Sequence, residues 1–315
     1  MIVTLAGGVG AARFLVGLIG AHDEADCTAI VNVADDVVLH GLAISPDLDT
    51  VTYTLAGEID PDRGWGLRDE TWQAMATVQR YGGISWFNLG DRDLGTHLYR
   101  THRLGEGATL SEVTADIVRS WGLRLRVLPV TDDRVETRVV LRDGDDETPA
   151  GGEVNFQEYF VKRHHGVAIS SVRFVGADIA RPAPGVLAAV ARADVVVIAP
   201  SNPLVSIGPV LAVPGVRHAL CARRDRSVAI SPIVGGAALK GPADRMLVEL
   251  GHESSVVGVA RLYRDIASVL VVDEVDRALA PLVEAEGMRC VVTDTIMKTP
   301  ERAAALARVT LGVWA

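Results

Sequence analysis

The residues with chemistry to offer fall in short segments, each at the end of an apolar run. The first is Gly7-Gly8-Val9-Gly10-Ala11-Ala12-Arg13, directly after Ile2 to Ala6. Glycine lets an anion approach the main chain, and the amides that open a helix point toward it, so Gly8, Gly10 and Arg13 are candidate phosphate contacts. Arg13 stands where a dinucleotide fingerprint wants a third small residue, and the Gly-Lys-Ser/Thr ending of a P-loop is missing. A tight turn with no ligand is the other reading. Asn32-Val33-Ala34-Asp35-Asp36 closes the next run and offers Asn32, Asp35 and Asp36 to a nucleotide, or two acids to solvent.

Ser45-Pro46-Asp47-Leu48-Asp49-Thr50 combines a helix cap, a proline for the first turn and two early acids. Stabilisation of the helix dipole, about 1 kcal/mol at most, explains those acids without any ligand. A second acidic loop, Asn88-Leu89-Gly90-Asp91-Arg92-Asp93, shifts the balance toward function. Clustered carboxylates with no cysteine nearby suit Mg²⁺, which takes oxygen ligands and shares them with phosphates. His97 matches a hard cation poorly and reads as a structural or surface histidine. Further on, Pro200-Ser201-Asn202-Pro203 and Ser206-Ile207-Gly208-Pro209 form a proline-stiffened turn with hydroxyl, amide and N–H groups free for a second phosphate or a carboxylate. Ser231 to Gly236 leads to Lys240, a phosphate contact or a solvated lysine.

The elements that must carry these segments alternate. Strands are expected at Ile2 to Ala6, Thr28 to Ala34, Val195 to Ala199, Val228 to Ser231, Val269 to Val272 and Cys290 to Thr293. Helices are expected at about Ala11 to Ile19, Asp47 to Ala56, Glu70 to Arg80, Leu110 to Trp121, Gly185 to Ala191, Ala243 to Leu250 and Pro300 to Leu311. Continuous apolar strands alternating with helices predict an α/β fold, a Rossmann-like, doubly wound, mainly parallel sheet. Ligands then lie beyond the carboxyl ends of the strands, which would bring the glycine loop and the Pro200 turn to one crevice. Residues 125–175 break the rhythm and read as a smaller α+β insertion, an acceptor cover or a dimer contact, between core segments 1–124 and 176–315.

Composition narrows the function classes. With 315 residues, 49% hydrophobic, the chain can fill a large core. A net charge of −9 argues against a nucleic-acid surface. Lysine occurs only at Lys162, Lys240 and Lys298, so there is no polybasic membrane anchor. Three widely separated cysteines and no visible signal peptide predict a reduced, cytoplasmic protein.

In their joint order these motifs resemble the 2-phospho-L-lactate transferase family (CofD), across nearly the whole chain. The arginine-rich composition is similar to its actinobacterial branch, the phosphoenolpyruvate transferases (FbiA). The resemblance implies a Mg²⁺-dependent homodimer that takes a guanosine diphosphate-activated three-carbon acid, lactyl or enolpyruvyl, and joins it to the deazaflavin alcohol Fo in coenzyme F-420 assembly, releasing GMP. It implies Asp49, Asn88 and Asp91 as acceptor contacts, with Asn88 standing where relatives carry lysine. Asp47 and Asp49 would then supply the metal contact and the base, while Gly8, Gly10, Arg13, Asn32, Asp35, Asp36, Ser201, Asn202, Ser206 and Gly208 would surround the nucleotide and its phosphates. Two other classes compete: a non-catalytic nucleotide-sugar-binding regulator of the same superfamily, which need not keep the Ser-Pro-Asp-Leu-Asp-Thr segment, and an NAD-dependent dehydrogenase, opposed by Arg13.

Overall fold

The structure is a computed structural model that describes residues 1–314. Its frame is one seven-stranded sheet. In chain order the strands are β1 (Ile2–Ala6), β2 (Cys27–Val31), β3 (Arg126–Pro129), β4 (Val195–Ile198), β5 (Ser227–Ile230), β6 (Val269–Val272) and β7 (Arg289–Val292). They lie in the order β3-β2-β1-β4-β5-β6-β7, every neighbouring pair parallel. Helices cover both faces, so β1, β2, β5 and β6 are buried from end to end, which is why they read as unbroken apolar runs. The expected Rossmann-like α/β fold is the observed one.

The order reverses between β1 and β4. From β1 the chain winds outward to β3, then crosses back to build β4 to β7 on the other side. At such a switch point the loops leaving the two strands diverge to opposite faces and open a crevice beyond their carboxyl ends. The glycine loop leaves β1 there, and the Pro200 turn leaves β4.

The first five helices are α1 (Gly8–Ala21), α2 (Pro46–Leu55), α3 (Gln73–Arg80), α4 (Asp93–Gly105) and α5 (Leu110–Ser120), of which α1, α2 and α4 line this crevice. Among them α4 has no counterpart in the expected elements. Its buried residues are Asp93, His97 and Arg100, so it shows no apolar stripe to read. A correction also falls on the expected insertion at 125–175: Arg126–Pro129 pairs with β2 inside the main sheet, so the part that leaves the sheet begins after Pro129. That part forms a three-stranded antiparallel sheet, with Glu136–Leu141 between Glu153–Asn155 and Ile169–Val175. Val139, Leu141, Val154, Phe156, Tyr159 and Ile169 close a second, smaller core against Val205 and Met246.

Candidate active site

A cleft of about 840 Å³ opens at the switch point, lined by the glycine loop, the first turn of α2, the Pro200 turn and the hairpin that ends at Lys240. Two contacts draw its loops together. Gly10 lies so close to the Pro200 carbonyl that a Cβ there would sit 2.3 Å from the oxygen. The Ser201 hydroxyl donates to the Gly7 carbonyl at 2.8 Å. Glycine at position 10 is therefore demanded by the approach of β1's loop to β4's. Gly8, at φ +70°, takes a backbone conformation that L residues avoid.

On the β2 side lies a group of buried acids. The amide N–H of Gly8 donates to Asp47 Oδ1 at 2.9 Å, and the Asn32 side-chain amide donates to Asp47 Oδ2 at 2.9 Å and to Asp35 Oδ2 at 3.1 Å. Asn32 is itself fixed by the Ala34 N–H, which donates to its Oδ1 at 3.0 Å. Asp36 accepts from the Ser45 hydroxyl at 2.6 Å. Asp35 Oδ1 and Asp36 Oδ1 are shut away from solvent without a well-formed hydrogen bond. Burial pushes the Asp35 carboxyl well above its ordinary value, and repulsion from Asp47 adds to it against the pull of Thr137 and Asn32. Burial likewise lifts Asp36 to about 8, opposed by the Ser45 hydroxyl and the Arg100 charge. Asp47 rises to about 6, also through burial, held down by Asn32 and Gly8. A group of carboxylate and amide oxygens without nitrogen or sulfur ligands is the kind of donor set that Mg²⁺ takes. Asp35 and Asp47 are the members of this group that line the cleft, and they would hold such an ion.

Asp49 has a different environment. Arg100 reaches from α4 to α2 and grips both carboxylate oxygens, Nη1 donating to Oδ2 at 3.1 Å and Nη2 to Oδ1. Arg100 is 2% exposed and Asp49 6%. His97 stands beside the pair, its Nδ1 3.3 Å from Arg100 Nη1 and its Nε2 3.4 Å from Asp93 Oδ2. The Tyr53 hydroxyl donates to Asp93 Oδ1 at 2.6 Å. Burial works against ionised Asp93, yet His97, Tyr53 and Arg100 together hold it below the ordinary carboxylate value. His97 is thus fully internal, the structural of the two readings given to it, and it stands between Asp49 of α2 and Asp93 and Arg100 of α4.

Most of the remaining expected residues meet in the cleft. Arg13, Asn88, Ser201, Asn202 and Ser206 line it. Asn32 and Asp36 stand behind the lining and act through Asp47, Asp35 and Ser45. Asn202 is also a cap, its Oδ1 accepting from the N–H groups of Leu204 and Val205 at 2.9 and 3.4 Å. Two residues lie elsewhere. Asp91 faces the start of α3, where it accepts from the Gln73 and Ala74 N–H groups at 3.0 Å each and from the Thr71 hydroxyl. Gly208 packs against the Phe174 ring, where a Cβ would come within 3.1 Å, and borders a separate groove.

Sequence reasoning missed Tyr53 and Arg100 as members of the site and named Asp93 only as the end of an acidic loop, with no role of its own. The available signal was the spacing of Asp93, His97 and Arg100, which sets three polar residues on one helical face. Aromatic side chains complete the lining: Trp65, Trp86, Phe87, Phe156 and Phe160, the last two stacked with centroids 5.4 Å apart. Arg13, Lys240 and Lys298 also line the cleft, and none has an ion-pair partner among the described residues.

Comparison with known proteins agrees with this architecture. Residues 2–310 match the family described as 2-phospho-L-lactate transferase CofD. A phosphoenolpyruvate transferase of Kitasatospora aureofaciens is 47% identical over 315 residues, covering 99% of this chain and 97% of that one. The phosphoenolpyruvate transferase of Streptomyces griseus is 47% identical over 312 residues, covering 98% and 97%. That of Mycobacterium bovis is 48% identical over 276 residues, 83% of each chain. Among solved structures, a member of the UPF0052 family from Bacillus halodurans shares the fold, with a TM-score of 0.63 at 19% identity and 98% of both chains covered. A match over nearly the whole length, with relatives close to half identical, shows that this chain belongs to the 2-phospho-L-lactate transferase CofD family.

Proposed function

We infer that the protein is a Mg²⁺-dependent transferase of coenzyme F-420 biosynthesis that moves a phosphoenolpyruvyl group from a guanosine diphosphate-activated donor to Fo, giving dehydro-F-420-0 and GMP. The carrying observation is one cleft lined together by the glycine loop, the Pro200 turn, the buried acids Asp35 and Asp47, the Arg100-anchored Asp49 and five aromatic side chains. The names of the relatives favour the enolpyruvyl donor over the lactyl one.

In this reading the donor diphosphate lies over Gly8, Ser201 and Asn202, with Arg13, Lys240 and Lys298 offsetting its charge. Asp47 and Asp35 would hold Mg²⁺, whose chemistry is to neutralise the diphosphate as negative charge builds on the leaving GMP. The flat deazaflavin rests against the aromatic side chains. Asn88 and Asp49 orient its side-chain alcohol, and Asp49 takes the hydroxyl proton as the oxygen attacks the phosphorus bearing the three-carbon acid. The new P–O bond forms to Fo, and the bond to the GMP oxygen breaks. Positioning and electrostatics supply most of the acceleration, as in phosphoryl transfer generally. Because Phe156, Gln157 and Phe160 come from the segment after Pro129, that segment covers the acceptor. The active species is a cytoplasmic homodimer.

Mass spectrometry of products from Fo, Mg²⁺ and each guanosine donor is the test. Dehydro-F-420-0 and GMP are expected from the enolpyruvyl donor. Binding of GDP with no product from either donor would instead support the nucleotide-binding regulator. Light scattering on the same sample checks the dimer.

A further inference from the structure

Asp49, Asp93 and His97 present three ligand atoms within 4.8 Å of one another, all buried, an arrangement that elsewhere holds a metal ion. Here a guanidinium already sits against two of the three members, Asp49 and His97. Arg100 is bidentate on Asp49, touches His97 Nδ1 at 3.3 Å and reaches the Ala43 carbonyl at 3.4 Å. Its Nε has no partner, so the side chain is not placed to satisfy its own donors fully. Replacing a buried ion pair by apolar residues is commonly neutral or stabilising, so stability alone is a weak reason for this one. Orientation is a better one, because a planar fork fixes both oxygens of a carboxylate at once.

We propose that Arg100 is the resident cation of the Asp49–Asp93–His97 cluster: a positioning residue that keeps metal out of it and holds Asp49 toward the acceptor. The four cleft carboxylates are thereby divided, Asp35 and Asp47 for the metal and Asp49 for the alcohol, with Asp93 anchoring His97 and Tyr53 behind it. The acceptor half of this statement rests on the function inferred above; the cation half does not.

Two arms test it. In the first, Arg100→Gln and the parent are titrated with Mn²⁺ in the absence of substrates, with free Mn²⁺ followed by electron paramagnetic resonance. The variant keeps a donor for Asp49 but loses the charge, and it is expected to bind one more Mn²⁺ ion than the parent. In the second, Arg100→Lys, which keeps the charge and loses the fork, is expected to lower turnover or raise the acceptor KM by about 10-fold or more, within the range for misplaced reacting groups. Its GDP affinity should stay within about 2-fold of the parent, since the phosphate loops are untouched. Equal Mn²⁺ stoichiometry overturns the proposal, as does Arg100→Lys with parental acceptor kinetics in an enzyme that transfers to Fo. If the parent transfers nothing to Fo, the functional reading fails, while the Mn²⁺ count still decides whether Arg100 fills the place of a cation.

Discussion

The backbone N–H of Gly8 donates to the Asp47 carboxylate at 2.9 Å, so the first amide of α1 is held by an acid from the first turn of α2. A glycine loop expected to meet phosphate thus meets a carboxylate, and the proposed phosphate and metal regions of the cleft share one residue. Disturbing the loop should be felt at the acids. Gly10→Ala places a methyl 2.3 Å from the Pro200 carbonyl. Forcing the loops apart should destabilise the protein by about 1–3 kcal/mol, the usual scale of overpacking. GDP affinity should fall with it. Calorimetric GDP titration and a melting curve check this, and unchanged affinity would mean that the two loops do not share a ligand.

The acid group predicts an inverted pH response. Asp36 at about 8 and Asp47 at about 6 both lie above the value near 4 that such a group has in an unfolded chain. The native state therefore holds protons that the unfolded state has released, and stability falls as pH rises from about 4 through about 8. Asp36→Asn removes one of these carboxylates while leaving an oxygen for the Ser45 hydroxyl. Its melting temperature should exceed the parent's at pH 8 and match it near pH 4. Mg²⁺ should raise the parent's melting temperature more at pH 8 than at pH 5.

Asp49→Asn has a larger structural consequence than a first-turn acid suggests. The helix-dipole contribution is about 1 kcal/mol at most, but the substitution also strands the buried Arg100 charge, which costs about 3–5 kcal/mol. Both melting temperature and turnover should drop. The double variant Asp49→Asn with Arg100→Met should regain much of the melting temperature and remain at least about 100-fold down in turnover, the scale of a lost base. Recovery of turnover with stability would make Asp49 structural only and move the base elsewhere.

Lys240 stands at the cleft's rim with its Nζ 3.4 Å from the Arg63 carbonyl. Burial lowers its pKa, and the nearby Arg13 charge lowers it further, so two cations approach without an acid between them. Lys240→Met should raise the donor KM by about 3- to 10-fold, the equivalent of about 1 kcal/mol, with little change in melting temperature. The difference from the parent should shrink at high salt, because exposed charges are screened. Steady-state kinetics across ionic strength decide it, and an unchanged donor KM at low salt would leave Lys240 a solvated lysine.

Local sequence determined the frame of this protein. Runs such as Ile2 to Ala6 and Val269 to Val272 are apolar on both faces, and only a covered parallel sheet accepts them. Turn chemistry at Gly7 to Gly10 and Pro200 to Pro203 marked the loops that line the cleft, since glycine permits and proline fixes special backbone conformations whatever surrounds them. Tertiary structure alone decided which partners each acid meets. Asp47 and Asp49 are two residues apart on one helix, yet one meets Gly8 and Asn32 and the other a guanidinium 51 positions away. Helix α4 escaped notice for the same reason: its buried face is made of Asp93, His97 and Arg100, whose burial is stable only because each is matched by a charge or hydroxyl from another element. Apolar periodicity reports burial against oil-like surroundings, and a buried polar face becomes legible only when its partners are in place.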